Sequence, residues 1–134
     1  MRHYALPLFF LLLLAAAVTL ACGSSPHILQ SVTISPATAD AQNGEAQFTA
    51  TGVFTGSPSE VTPLSATWGA CFQDETTTGV SVSSKGLAQC ATGASGTYTI
   101  FAWDVNPGTA ICEVSAVCGP PCGAVAGTAQ LTCP

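Results

Sequence analysis

Seven cysteines carry most of the chemistry open to this 134-residue chain: Cys22, Cys71, Cys90, Cys112, Cys118, Cys122 and Cys133. Thiols can pair, ligate metal or accept a covalent group. Six of them lie in the C-terminal half, and Cys22 stands alone. An odd count in an exported chain leaves one thiol to be explained. The other six can form three disulfides in an oxidising compartment, with fifteen connectivities open to them. Cys118-Gly-Pro-Pro-Cys122 permits a local loop, or else each of the two ties that loop to a strand. Zinc is the competing reading, because C-x₃-C falls within the loose spacing of zinc ligands. No second close cysteine pair supports it, and beyond the N-terminal apolar block His27 is the only histidine. A redox C-x-x-C and a haem-binding C-x-x-C-H are both absent. The sequence therefore predicts structural disulfides, with no metal and no cofactor.

The remaining reactive residues make a poor catalyst. A Ser-His-Asp triad needs a histidine to move the proton, and His27 falls in a short polar stretch ahead of the first strand. Asp74 and Glu75 are adjacent, so a strand would point them to opposite faces and a loop tip suits them better. Asp104-Val-Asn106-Pro107-Gly108 has some of the oxygen ligands of a calcium loop but lacks its further acidic residues. Its composition is ordinary turn chemistry. Lys85, next to Gly86, reads as a turn residue rather than a Schiff-base lysine. Gly93 to Gly96 opens a strand, not the helix a phosphate loop requires. No catalytic residue is assigned.

Charge excludes further classes. The formal net charge is −5, and the only basic residues are Arg2 and Lys85. Without residues 1–21, Lys85 faces seven acidic residues, a formal −6. Such a surface cannot neutralise phosphates, so nucleic acid is not a partner. Anionic lipid headgroups would repel it as well.

The elements that must position these residues begin with an address. Hydrophobic residues make up 48% of the chain, and their excess is concentrated in residues 5 to 21. Arg2 and His3 form a short positive start, Leu6 to Leu14 is almost unbroken apolar sequence, and Ala15 to Ala21 continues it with small residues. This is the pattern of a signal peptide. The run is short for a membrane-spanning helix, which needs about 20 apolar residues. Its end, Val18-Thr19-Leu20-Ala21-Cys22 followed by Gly23-Ser24-Ser25, resembles the lipobox of bacterial lipoproteins. The resemblance implies cleavage between Ala21 and Cys22, a diacylglyceryl group on the Cys22 sulfur, and a membrane as partner through that lipid. Acyl chains contribute roughly 0.8 kcal/mol per buried methylene, and two or more make a stable anchor. Lipidation also removes the odd thiol. The simpler alternative is a cleaved signal with Cys22 as a spare thiol. Gly23 stands where many enterobacterial lipoproteins kept at the inner membrane carry Asp, which by resemblance favours the outer membrane of a bacterial cell envelope.

Residues 22–30 then read as the lipidated cysteine and a tether, of which residues 23–30 span under ~30 Å when extended. From residue 31 the period is two. Strands are predicted over 31–35, 46–54, 65–71, 80–82, 87–91, 97–103 and 128–133. Turn signals fall between them at Pro36, Asn43-Gly44 and Lys85-Gly86. No window has helical period. Seven short strands without crossover helices predict an all-β, antiparallel β-sandwich occupying residues 31–134. Ser31-Val32-Thr33-Ile34-Ser35-Pro36-Ala37, Phe48-Thr49-Ala50, Thr67-Trp68, Gly86-Leu87 and Gly96-Thr97-Tyr98-Thr99-Ile100, resuming at Gly127 to Thr132, resemble bacterial immunoglobulin-like domains of group 2. The resemblance implies an Ig-like sandwich used as a stalk or binding module in surface proteins. Residues 104–127 depart from it. They replace a short hairpin with a Cys-rich insertion before the last strand, holding Cys112, Cys118 and Cys122.

Two aromatic assignments follow. Trp68 is expected in the core. If Tyr98, Ile100 and Ala102 also face the core, Phe101 and Trp103 face outward, either under the insertion or as an exposed aromatic patch of the kind that binds partners. The expected function is a non-enzymatic, lipid-anchored Ig-like module for binding or adhesion, with an envelope or extracellular ligand. The alternative is an accessory lipoprotein that binds a protein partner in an envelope complex. A small hydrolase or metal-binding protein fits the composition less well.

Overall fold

A computed structural model of the protein describes residues 26–112 and 118–134. Cys22 and its cleavage partner Ala21 therefore lie outside the described residues. The first strand, β1 (Leu29–Ser35), buries Leu29, Val32 and Ile34. Leu29 and Val32 are three apart, which would put them on opposite faces of a regular strand. A bulge between Leu29 and Ser31 restores the phase, so both turn inward. Strict alternation thus starts only after the bulge, which is why the period becomes legible at residue 31.

Pro36 ends the pairing of β1, and the chain crosses to the other layer as β2 (Thr38–Asp40). Asn43 and Gly44 then adopt positive φ, 55° and 83°, as a two-residue hairpin turn requires. Gln42 and Glu45 exchange backbone hydrogen bonds of 2.8 and 3.1 Å across that turn. Next come β3 (Glu45–Gln47) and β4 (Thr49–Phe54), separated only by Phe48. The remaining strands are β5 (Glu60–Val61), β6 (Thr67–Phe72), β7 (Glu75–Thr76), β8 (Val80–Val82), β9 (Leu87–Cys90), β10 (Gly96–Asp104) and β11 (Val125–Cys133).

These strands form two layers. One holds β1-β4-β5 and β3-β9-β8, joined through the near-continuous β3 and β4. The other is ordered β2-β11-β10-β6-β7. The main strands of the first layer are β1, β3/β4, β9 and β8, and those of the second are β6, β10 and β11. This is the strand arrangement of an immunoglobulin-like sandwich. The seven expected strands are all present. The additional elements are β2, β5, β7 and the break at Phe48. The expectation of wholly antiparallel sheets fails at one pair: β2 runs parallel to β11, with Gln130 opposite Thr38. A chain that leaves one sheet at Pro36 without reversing meets the last strand in parallel.

The core lies between the layers. Phe48, Ile100 and Leu131 are its largest fully buried side chains, and Val32, Ile34, Ala50, Tyr98 and Ala102 surround them. Tyr98, Ile100 and Ala102 face inward as the alternation predicts. No helix of the described residues is long and apolar enough to cross a membrane.

Candidate functional site

Three disulfides are present, and all six C-terminal cysteines take part in them. Cys90 at the end of β9 pairs with Cys133 at the end of β11, joining the two layers at one end of the sandwich. Cys71 of β6 pairs with Cys118, which fixes the insertion to a strand. Cys112 pairs with Cys122 and closes a loop inside the insertion, where the two residues also form a β-bridge. The Cα separations, 5.8, 6.0 and 5.6 Å, all suit disulfides. Cys118 and Cys122 do not close a loop with each other: Cys118 ties the insertion to a strand, as the second arrangement expects, and Cys122 pairs with Cys112, which neither arrangement foresaw.

The Cys71–Cys118 bridge decides what happens to the aromatic face. Cys71, Gly69, Phe101 and Trp103 share the side of the second sheet that faces away from the core, since Phe101 is registered with Gly69 and Trp103 with Thr67. Gly69 has no side chain, and the Phe101 ring lies where a Cβ would stand. The bridge, with a 3.3 Å hydrogen bond from the Cys118 N–H to the Asp74 carbonyl, brings the insertion back onto this face. Phe101 is only 9% exposed, and Trp103 is half-buried. Phe101 is thus a packing residue rather than part of an exposed aromatic patch. The insertion itself is shorter than expected. β10 continues to Asp104 and β11 starts at Val125, which are paired with each other, so the loop spans 105–124.

Residues assigned to the tether are docked on the domain. His27 stacks on Phe54 with ring centroids 4.3 Å apart, and its Nε2 donates to the Pro58 carbonyl at 2.9 Å. The Thr55 hydroxyl donates to the Pro26 carbonyl at 2.7 Å and accepts from the Ile28 N–H at 2.9 Å. Leu29 is 3% exposed. Its N–H donates to Asn106 Oδ1 at 2.6 Å, and Asn106 Nδ2 donates back to the Leu29 carbonyl at 2.9 Å. The Asn106 amide therefore stands in for a strand neighbour. Its oxygen is turned toward the Leu29 N–H, so the structure gives this side chain a part in docking the first strand. Docking of His27 and Leu29 moves the domain's start from residue 31 to residue 26. Sequence reasoning missed this because the bulge hides the pattern and Asn106 is 77 residues away.

Trp68 packs against the core, as expected, but is only half-buried, and the cause lies in the opposite layer. β3 pairs with β9 as far as Gln47 and Leu87, whereas β4 pairs with β5 only from Gly52 and Val61. Between these ladders, at Thr49 and Ala50, no strand pairs with this edge of β4 and the sheet leaves a gap, crossed by a 2.8 Å hydrogen bond from the Leu64 N–H to the Ala50 carbonyl. Pro63, Leu64 and Ser65 border it on one side and the Ser84-Lys85 turn on the other, with Phe48 and Trp68 beneath. The gap is a pocket of about 400 Å³. Gly86, with φ +78°, brings the turn against the Phe48 backbone and the Trp68 ring, where no Cβ would fit. Gln47 Nε2 donates to the Lys85 carbonyl at 2.8 Å, and the Ser83 hydroxyl accepts from the Leu87 N–H at 3.1 Å. The pocket wall is thus tied to the sheet by hydrogen bonds. Lys85 is the turn residue expected from sequence, but it also lines a cavity.

Asp74 occupies a tight β6–β7 turn, where Gln73 and Asp74 have φ of 51° and 63°. Glu75 begins β7 beside it. No group of three or more metal-ligating side chains occurs among the described residues. No family model matches the chain, and no curated protein matches it.

Proposed function

We propose that the protein is a non-enzymatic cell-envelope module, lipidated on Cys22, that displays an Ig-like domain for binding or adhesion. The observation that carries this reading is the closeness of the domain to Cys22: Pro26, already docked on the domain, follows only four positions later. A free thiol that close to an oxidised domain would be exposed to mispairing, and acylation removes it. All six remaining cysteines are paired, as export to an oxidising compartment requires. The text of β1, β6 and β10 adds the resemblance to bacterial Ig-like domains of group 2, and the acidic, lysine-poor surface argues against nucleic acid. The surface offered to a partner is the part of the insertion anchored at Cys118, with the half-buried Trp103.

Intact-mass analysis of the protein purified from membranes, without reduction, tests the reading. The expected mass begins at Cys22, carries acyl chains on that residue and lacks six hydrogens on the other cysteines. A mature protein beginning elsewhere, or with an unmodified Cys22, overturns the lipid anchor.

A further inference from the structure

We infer that the gap between β4, β5 and the β8–β9 turn is a binding site for a carboxylate-bearing sugar. The inference goes beyond the envelope-module reading and does not depend on lipid at Cys22.

Three observations converge on one cavity. The first is its origin: the pocket opens where β4 changes partner, so apolar groups that would otherwise be sealed in the core reach solvent. Trp68 and Pro63 supply apolar surface there, with Leu64 buried beside them. The apolar face of a pyranose ring, made of C–H groups, stacks on such a surface, and an indole is its best partner. The second is charge. Lys85 is the only Lys or Arg among the described residues. It makes no ion pair with any described carboxylate, although acidic residues outnumber it in the sequence. The lone lysine of an acidic chain lines the pocket's rim, on a turn whose backbone is held by Gln47, Ser83 and Gly86. A lysine on the rim of the cavity calls for an anionic group on the ligand. The third is the set of hydroxyls. Thr49, Ser65 and Ser84 line the same cavity and can both donate and accept. An aliphatic carboxylate would use the lysine and waste the hydroxyls. A neutral sugar would use the hydroxyls and waste the lysine. A uronate uses both. The volume of about 400 Å³ lies within the ~300–1,000 Å³ of small-ligand sites.

The test is a titration of the folded, oxidised protein, followed by amide and indole NMR shifts. Three probes are compared: a galacturonate oligomer, a matched glucose oligomer and hexanoate. The galacturonate oligomer should move the Trp68 indole N–H and the Ser84 and Lys85 amides, and bind at least tenfold tighter than either other probe. Lys85→Gln, at an exposed turn position, should weaken it about fivefold, the scale of one partly exposed charge pair. Added salt should weaken binding to the unsubstituted protein and have little effect on the variant. Trp68→Phe should retain the fold and lose affinity. Equal binding of the glucose oligomer, equal binding of hexanoate, shifts located away from Trp68, or no shifts with millimolar galacturonate oligomer would each overturn the assignment.

Discussion

Two residues without side-chain chemistry of their own fix what the neighbouring side chains can do. Gly69 leaves the space that the Phe101 ring fills, so an aromatic on the outer face of a sheet becomes buried. A methyl group at that position must displace the ring or the strand. Gly69→Ala is therefore expected to cost about 1–3 kcal/mol in denaturant unfolding, as over-packed cores do. It should also expose aromatic surface, read as greater binding of a hydrophobic dye. Gly86 does the equivalent for the pocket, since it alone lets the Lys85 turn approach Trp68. At this scale the sequence was partly legible. Alternation placed Tyr98, Ile100 and Ala102 inward and Phe101 and Trp103 outward. It could not say whether the outward pair was covered, because that depends on where Cys118 lands.

Among the elements, the disulfides divide the labour by loop length. The Cys71–Cys118 and Cys90–Cys133 bridges span 47 and 43 residues, and the Cys112–Cys122 bridge spans 10. Chain entropy then assigns about 4 kcal/mol to each of the long bridges and about 3 kcal/mol to the short one. Replacing both members of the Cys90–Cys133 pair by Ala should lower unfolding free energy by about 4 kcal/mol. The Cys112/Cys122 double replacement should cost less and leave the sandwich intact by circular dichroism. Strand positions could be read from period two, and the Asn43-Gly44 and Lys85-Gly86 turns from their residue types. Three features could not. The parallel β2–β11 pair depends on a sheet crossing after Pro36, the pairing of cysteines depends on the path of a 20-residue insertion, and the gap beside β4 depends on which strands stop short. Each is set by non-local pairing, which one-dimensional pattern does not encode.

For the whole molecule, docking of residues 26–30 matters most. With lipid on Cys22, the four residues to Pro26 reach about 14 Å at full stretch. The domain would then sit against the bilayer with one end fixed downward. That end carries the 55–59 loop and the Asn106 turn, both bonded to the N-terminal segment. The exposed apolar residues Ile28 and Ile111 lie in this segment and in the insertion that follows the turn. Hydrogen exchange on vesicles should show protection at 55–59 and 105–111 and none at the Asn43-Gly44 turn. Equal protection at both ends would mean that the domain tumbles freely. The same docking governs how the molecule bears mechanical load. A pull on the N-terminus, with a ligand held at the opposite end of the sandwich, drags β1 along its own axis. Its six registered pairs with β4 are then strained together rather than opened one after another. The Asn106 clasp on Leu29 shares the same pull. Built this way, the first strand is a shear joint, suited to a protein tethered at one end and tugged at the other.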